Sequence, residues 1–462
     1  MNPSRYRSLL LLLFYLSLFS LPLSFNWVAD RWNVGMMLFA EPLMALTVAA
    51  AVVGGLLGWV AVPRLNLLDK LIGLHFGALL LATVFSTDPL VSAKFFITLL
   101  LYVSFGYGLP RLLVPVRSEW LAAVGSLALG TSLLALYVLV QQAMQGISYQ
   151  LSYSIAEPFL HHGHTNLTVM LEPLVLALNM ALMYRTRTQS FWVRALAAVL
   201  LTGVLMVVAF SYSRASYASL LVQAMLLLFY ASWATGRRLL LPWAVAGLVI
   251  LAGWQVLEEV HPQASKPSDP KLLTELSSVS DFSPANESNA ERKSRWLYSL
   301  ELFQQHPVLG IGPGTFADRY LEFVKNSPNH PTYFTTLRRM NAHNIYLSWL
   351  VEAGGMGLAT GLLLLGYVVW RVVRRAFQWP APLGQVALSV YLLYFLLHSL
   401  TQDFWQEPRV VVIFWLVIGL QRFWEDGYPT SASVSGQRAR ARSGVWATVE
   451  APGVAQSSAQ LV

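Results

Sequence analysis

The stretch FWVRALAAVLLTGVLMVVAFSYSRASYASLLVQAMLLLFY, residues 191–230, decides the fold class of this protein. It belongs to two apolar runs, 191–210 and 214–233, which are separated by only about three residues. A membrane-spanning helix needs about 20 predominantly apolar residues, and each run is that long. The stretch therefore predicts two membrane helices joined by a tight turn.

The rest of the chain has the same character. Of its 462 residues, 56% are hydrophobic and only 12% are charged, whereas soluble domains carry about 25% charged residues. This composition excludes an ordinary cytosolic enzyme and a disordered or fibrous protein. The long unbroken apolar runs disfavour an outer-membrane barrel, because barrel strands alternate polar and apolar residues. With no cysteine in the chain, disulfides, thiolate catalysis and cysteine-ligated metals are excluded.

Ten further apolar runs bring the number of predicted spans to twelve; they are 8–25, 36–62, 67–86, 93–110, 119–144, 165–184, 239–257, 344–370, 382–402 and 409–424. The expected fold is an all-α integral membrane protein with about twelve transmembrane helices. Residues 1–257 hold the first nine, residues 258–343 form one large loop, residues 344–424 hold the last three, and residues 425–462 form a disordered tail. Within the loop, apolar residues at helical spacing predict a short helix from about Arg292 to Phe303.

The distribution of basic residues predicts the orientation, because Lys and Arg accumulate on the cytoplasmic side. With the N-terminus inside, 18 of the 31 basic residues fall in inside segments. Only Arg31, Lys94, Arg214 and Arg409 fall in short outside segments. We therefore expect both termini in the cytoplasm and the large loop on the outer, periplasmic side. The net charge of +8 is then a topology signal, and a nucleic-acid partner is not expected.

Arg214, in the outer turn FSYSRASYASL, breaks two local rules. It is a cation in the first turn of a helix, where the helix dipole disfavours it, and it lies on the side that basic residues avoid. An arginine beside the free N–H groups of a helix makes an anion site suited to phosphate. The alternative is an arginine that snorkels to lipid headgroups.

Two further stretches carry candidate residues on the outer side. Arg292 and Arg295 are three residues apart and share one helical face, as a basic cluster or simply as a solvated face of the loop. His343 and Asn344 stand at the start of the tenth span. A helix N-terminus lowers the pKa of a histidine, and a neutral imidazole is a competent general base. The alternative for His343 is a helix-capping role.

The segment EPFLHHGHTNL brings His161, His162 and His164 together before the sixth span. A metal site is disfavoured, because the histidines lack the i, i+4 helical spacing of zinc enzymes and only Glu157 is a nearby carboxylate. We expect no metal and no cofactor, and favour hydrogen bonding to a sugar or phosphate. The further substrate-binding candidates at the outer ends of spans are Asn166 and Asp403.

Four motifs, in this order, resemble the O-antigen ligase/polymerase family of bacterial membrane glycosyltransferases: GHTNL, SRASYASL, RKSRWLYSLELFQQHPVLGIGPGTF and AHNIYLSWLVEAGGMGL, within residues 157–360. The resemblance implies a GT-C type fold in the bacterial inner membrane with a periplasmic active site. It implies metal-independent, inverting transfer of a glycan from an undecaprenyl diphosphate carrier to an acceptor hydroxyl. Arg214 and Arg292 would bind the diphosphate and His343 would activate the acceptor. From their position on the outer side, His164, Asn166, Arg295, Asn344 and Asp403 are the expected substrate-binding residues.

Several functions remain open at this point. Within the enzyme class, the acceptor is lipid A–core in a ligase, which we favour, a second lipid-linked repeat unit in a polymerase, or a protein hydroxyl. Outside it, a lipid-linked oligosaccharide transporter would need polar residues along a path through the bilayer, and the inner halves of the predicted spans carry few. A non-catalytic scaffold would leave Arg214 unexplained.

Overall fold

The computed structural model describes residues 2–29, 34–114, 117–160, 164–183, 190–230, 233–260, 287–326, 339–376 and 383–425. Over these residues the protein is a helical membrane protein, as predicted, apart from one two-stranded β-hairpin. The helices are α1 Pro3–Ser20, α2 Ala40–Leu56, α3 Leu67–Val84, α4 Pro89–Val103, α5 Leu109–Leu113, α6 Arg117–Gln145, α7 Tyr149–Ser154, α8 His164–Met183, α9 Phe191–Ala209, α10 Arg214–Tyr230, α11 Trp233–Val260, α12 Glu287–Gln305, α13 Phe316–Asn326, α14 Ile345–Ala376, α15 Leu383–His398 and α16 Pro408–Glu425.

Every predicted span overlaps a helix, and all but the first, which overlaps α1, overlap one of the apolar helices. In the described part of the chain, seven stretches are long and apolar enough to cross a membrane, and α2, α10, α15 and α16 are shorter apolar helices. One of the seven, Pro89–Leu113, runs from α4 into α5 through a π-helical turn at Ser104–Gly108. The predicted loop helix is present as α12, whereas α13 was not predicted.

The largest local departure from the prediction is a β-hairpin between the first two helices. Strand β1, Phe25–Ala29, pairs antiparallel with β2, Val34–Leu38. The predicted spans 8–25 and 36–62 therefore extended too far, because α1 ends at Ser20 and α2 begins at Ala40. Both strands are apolar and continue the adjoining helical runs in sequence, so hydropathy could not separate them.

Contacts between distant segments define two ends of the helix bundle. At the first end, Arg7 donates to the Leu113 carbonyl (2.6 Å) and pairs with Glu119 (2.6 Å). At the second end, buried Arg409 donates to the carbonyls of Ser24 and Phe159, each at 2.6 Å. We call the second end the loop end; its described segments are 21–29, 34–39, 85–88, 146–160, 210–213, 287–326, 339–344 and 399–407.

The glycine-rich segment after α12 is anchored into a break in α14. Gly354 has a positive φ of 67° and interrupts the helix. Backbone carbonyls next to this break are therefore available to accept hydrogen bonds from the glycine-rich segment. The Ile311 N–H donates to the Val351 carbonyl (3.0 Å) and the Gly312 N–H to the Glu352 carbonyl (2.9 Å). A Cβ at Gly354 would collide with backbone of the loop. These bonds satisfy backbone that would otherwise be costly at the membrane boundary, and they hold the loop on the bundle.

The Glu352 side chain adds a second anchor. Its carboxylate accepts the backbone N–H of Phe316 at 3.2 Å, at the first residue of α13. A carboxylate at this position also complements the positive end of the helix dipole. The loop helices are therefore attached to the start of α14, which is where His343 lies.

Candidate functional site

Three basic side chains from separate parts of the chain meet at the loop end. Arg214 is the first residue of α10, His164 is the first residue of α8, and Arg292 lies on α12. The charge of Arg214 acts on the Arg292 guanidinium, and both arginines act on the His164 imidazole. Two cations beside two helix N-termini make an electropositive site that suits a phosphate or diphosphate.

Arg292 is half-buried and only partly engaged by the protein. One of its terminal nitrogens donates to Asn289 Oδ1 at 3.1 Å, while its buried Nε has no hydrogen-bond partner among the described residues. Burial and the Arg214 charge lower the pKa of Arg292, and the Tyr153 and Tyr149 phenols act in the opposite direction. Because a guanidinium carries five N–H donors, Arg292 retains a donor for an anionic ligand.

His343 lies directly before α14 in an unusual backbone conformation, with a positive φ of 50°. Its Nδ1 lies 2.9 Å from Gln402 Oε1. Since an amide oxygen only accepts, Nδ1 carries the proton and Nε2 keeps its lone pair. A left-handed conformation at a non-glycine residue stores strain, and such residues concentrate at functional sites.

The environment of His343 keeps its imidazole neutral. Burial, followed by the charges of Arg295 and Arg292, holds the pKa of His343 well below its usual value, and the hydrogen bond to Gln402 acts in the opposite direction. The sequence predicted the same direction but attributed it first to a helix N-terminus. In the structure His343 precedes the helix cap, so burial and arginine charge are the causes.

Four hydrogen bonds fix the segment that carries Gln402 against the segment that carries His343. Besides the His343–Gln402 bond, the Asn344 amide donates to the Leu400 carbonyl (3.0 Å), the Ile345 N–H donates to the Ser399 carbonyl (3.1 Å) and Ser348 donates to Asp403. These bonds join the start of α14 to the residues after α15. A base held this way keeps its orientation without help from the substrate.

Arg295 is placed behind the site and not on its surface. Its side chain is only 2% exposed, its Nε donates to the Glu291 carbonyl (3.2 Å), and one terminal nitrogen contacts Met340 Sδ (3.3 Å). Burial lowers the pKa of Arg295 to about 10, so the group stays charged at neutral pH. Arg295 was expected to bind substrate. Its buried position suits it better to act on His343 through its charge than to contact a substrate.

Asn344 and Asp403 are engaged in local structure. Asn344 Oδ1 accepts the N–H groups of Tyr346 and Leu347, both at 3.0 Å, as the N-cap of α14. Asp403 is buried and accepts bonds from Ser348 and from the Trp405 N–H. Burial raises the pKa of Asp403 to about 6, against the effect of these two bonds. Both residues position the His343 segment and leave few polar atoms for substrate.

Asn166 belongs to a different cluster at the loop end. Its amide donates to Glu407 (3.2 Å), and Glu407 also pairs with Arg409 (3.1 Å). Of the three clustered histidines, His161 and His162 lie outside the described residues. Within the described part of the chain, no three His, Asp or Glu side chains are grouped as a metal site requires.

A buried polar pair supports the helices beneath the arginines. His398 Nε2 lies 2.9 Å from Glu172 Oε1, and Ser219 donates to Glu172 Oε2 at 2.8 Å. These three residues lie on α15, α8 and α10, so the pair connects the helices that begin with His164 and Arg214. Buried ionisable groups within a membrane are costly unless paired, and this pairing specifies how the three helices pack.

Sequence reasoning missed the partners that only the folded chain reveals. Gln402 is ordinary in sequence, and its relation to His343 spans 59 residues. Tyr149 and Tyr153 lie on the short helix α7, which fell in a predicted connection. Their i, i+4 spacing was the one signal available, since it places both rings on the same helical face.

The region that contains Arg214, Arg292, Arg295 and His343 also matches a known protein family. Residues 196–362 match the family described as O-Antigen ligase. No curated protein matches the chain. The family match agrees with the resemblance found in the four sequence motifs. Residues 196–362 include the last three of these motifs, and only GHTNL lies before them. Over residues 196–362, this multi-pass membrane protein is therefore similar to the O-antigen ligase family.

Proposed function

We propose that this protein is a polysaccharide ligase at the periplasmic face of the bacterial inner membrane. It transfers a glycan from an undecaprenyl diphosphate carrier to a hydroxyl of an acceptor, lipid A–core in the favoured case. The observation that carries the proposal is the convergence of Arg214 and Arg292 beside a neutral, oriented His343 at the loop end. The family match over this region supports the same class of reaction.

The donor is held by its diphosphate in this proposal. Arg214 and Arg292 bind the phosphate oxygens, and their guanidinium forks stabilise the negative charge that develops as the sugar–phosphate bond breaks. The undecaprenyl chain extends into the bilayer alongside the apolar helices. Because the sugar–diphosphate bond is already activated, the transfer needs neither a metal nor a nucleotide sugar.

The acceptor is activated by His343. Its Nε2 accepts the proton of the acceptor hydroxyl as the oxygen attacks the anomeric carbon from the side opposite the diphosphate. Gln402 keeps Nε2 unprotonated by accepting from Nδ1–H. One in-line displacement transfers the glycan, releases undecaprenyl diphosphate and inverts the anomeric carbon.

Two experiments test this proposal. Purified protein incubated with a lipid-linked glycan and an acceptor should form new glycoconjugate, whereas a transporter or a scaffold would form none. The surface polysaccharide of a deletion strain then separates the acceptors. Loss of a ligase leaves unattached long chains on the lipid carrier, and loss of a polymerase leaves single repeat units.

The large loop is expected on the periplasmic side. The reason is the distribution of basic residues, with 18 in the inside segments and four in the short outside segments. A reporter that is active only in the cytoplasm, fused near Ser280, should be silent, and the same reporter after Gly427 should be active. Strong activity of the Ser280 fusion would reverse the topology and the side of the active site.

The pH dependence of turnover tests the role of Arg295. Replacing Arg295 with Gln removes the charge that most disfavours protonation of His343. The pKa of His343 should rise, so the acidic limb of the kcat–pH profile should move to higher pH. Arg295→Lys keeps the charge and should retain the wild-type limb, while Arg319→Gln, at an exposed loop arginine, should have no effect. An unmoved limb in a folded Arg295→Gln protein would rule out the electrostatic role.

A further inference from the structure

We infer that Tyr149 and Tyr153 on α7 form a subsite for the first sugar of the donor, the pyranose attached directly to the diphosphate. This inference rests on the proposed function, since it assumes that the arginines hold a diphosphate. It adds a residue pair that recognises the carbohydrate part of the donor. No part of the proposed chemistry requires these side chains, so their role can be tested separately.

The two tyrosines lie beside the proposed diphosphate site. Both phenols act electrostatically on the Arg292 guanidinium. The Tyr153 ring meets the His164 ring edge to face, with centroids 4.5 Å apart, and His164 in turn lies within the field of Arg214 and Arg292. The anomeric carbon of the donor is bonded to a phosphate oxygen. The first sugar therefore lies next to the phosphate that the arginines bind. The two tyrosines, which lie beside the arginines at the loop end, are within reach of it.

The chemistry of the pair fits a pyranose. The two phenol oxygens are hydrogen-bonded at 2.8 Å, and the rings are nearly perpendicular, with centroids 5.4 Å apart. Tyr149 also meets Tyr212 edge to face at 5.9 Å, while Tyr153 is 37% exposed. This surface combines accessible ring area with hydroxyls that both donate and accept. A sugar presents the complementary combination of a C–H face and hydroxyl groups.

Other parts of the donor fit this surface less well. The prenyl chain is entirely apolar, so burying the phenols against it would leave their hydrogen-bonding capacity unused at a cost in free energy. A phosphate is bound most strongly by cationic donors, which Arg214 and Arg292 supply and the phenols do not. The first sugar is the remaining group within reach.

The test compares two lipid probes on the purified full-length protein: undecaprenyl diphosphate, and undecaprenyl diphosphate that carries a single hexose. Tyr153→Ala and Tyr149→Ala should each weaken binding of the glycosylated probe on the order of tenfold, about the loss of one well-made contact. Each should leave binding of undecaprenyl diphosphate within about twofold. The matched control Tyr367→Ala, on α14 outside the loop end, should change neither affinity.

Two results would overturn the subsite. Equal weakening of both probes would assign the tyrosines to the diphosphate or to local folding, and unchanged binding of both would remove them from the site. Because alanine could loosen α7, the double variant Tyr149→Phe/Tyr153→Phe, which keeps both rings, is measured as well. It should lose part of the preference for the glycosylated probe, and an unchanged preference would also overturn the assignment.

The same probes separate a failure of the subsite from a failure of the proposed function. Arg292→Lys should weaken binding of both lipids, because the diphosphate is common to them. If Arg292→Lys binds both probes normally, the diphosphate site itself is misplaced. If it weakens both while the tyrosine variants leave the preference unchanged, only the sugar subsite is wrong.

Discussion

Replacing His343 with Ala should lower turnover by about 10²–10⁴-fold, the usual contribution of a general base. In the proposed mechanism the neutral imidazole, with Nδ1 bonded to Gln402 and Nε2 unprotonated, accepts the acceptor proton. Binding of the lipid donor should remain close to wild type, because in the proposed mechanism Arg214 and Arg292 hold the diphosphate. The measurement is kcat and donor affinity on the same purified variant.

His306→Ala is the matched control for this prediction. His306 is exposed in the same loop, so its replacement should leave turnover unchanged. Normal turnover of His343→Ala would place the base elsewhere, with His164 as the next candidate. Loss of donor binding together with turnover would make His343 a phosphate ligand. EDTA should not change wild-type activity, because the proposed reaction uses no metal.

The pH dependence of the wild type gives a second check on His343. Its pKa lies well below the usual value for histidine because of burial and the charges of Arg295 and Arg292. A lowered pKa means that the base stays unprotonated to lower pH. Turnover should therefore persist below about pH 6.5, the ordinary pKa of histidine, and fall only in more acidic solution. An acidic limb centred above that value would argue against His343 as the titrating base.

Arg214→Lys and Arg292→Lys should each lower turnover by about 30- to 1000-fold, or about 2–4 kcal/mol of transition-state stabilisation. Lysine preserves the charge but not the bidentate geometry, and a point charge cannot replace a fork on a diphosphate. The loss should be seen in donor binding and in turnover, since both arginines contact the leaving group in the proposed mechanism. Initial rates with a lipid-linked glycan donor measure it.

Arg319→Lys provides the matched control, because Arg319 is an exposed arginine on α13 that pairs only at the surface with Glu322. Surface ion pairs contribute little, so its activity should stay at the wild-type level. Protein abundance and thermal unfolding of the two arginine variants should also match wild type, because both side chains are half-buried at the loop end and outside the hydrophobic core. Near-normal turnover in both lysine variants would remove the arginines from the reaction.

The sequence by itself determined the helical membrane architecture and several chemically unusual positions. Each of the twelve predicted spans overlaps a helix of the structure, because a run of about 20 apolar residues in a bilayer satisfies its backbone most simply as a helix. The position of Arg214 could also be predicted from local sequence. The turn before it has only about three residues, so Arg214 had to lie in the first turn of α10. His343 could be recognised because it lies at the junction of a polar loop and an apolar run.

Only the tertiary structure decided which distant residues contact these positions. Gln402 orients His343 across 59 residues, the break at Gly354 accepts the loop backbone at Ile311 and Gly312, and α7 brings its tyrosines to Arg292. Hydropathy and helical period report on neighbours three or four residues apart. Pairings between distant segments depend on which helices pack together and in what register, and that is set by the whole set of contacts in the folded chain.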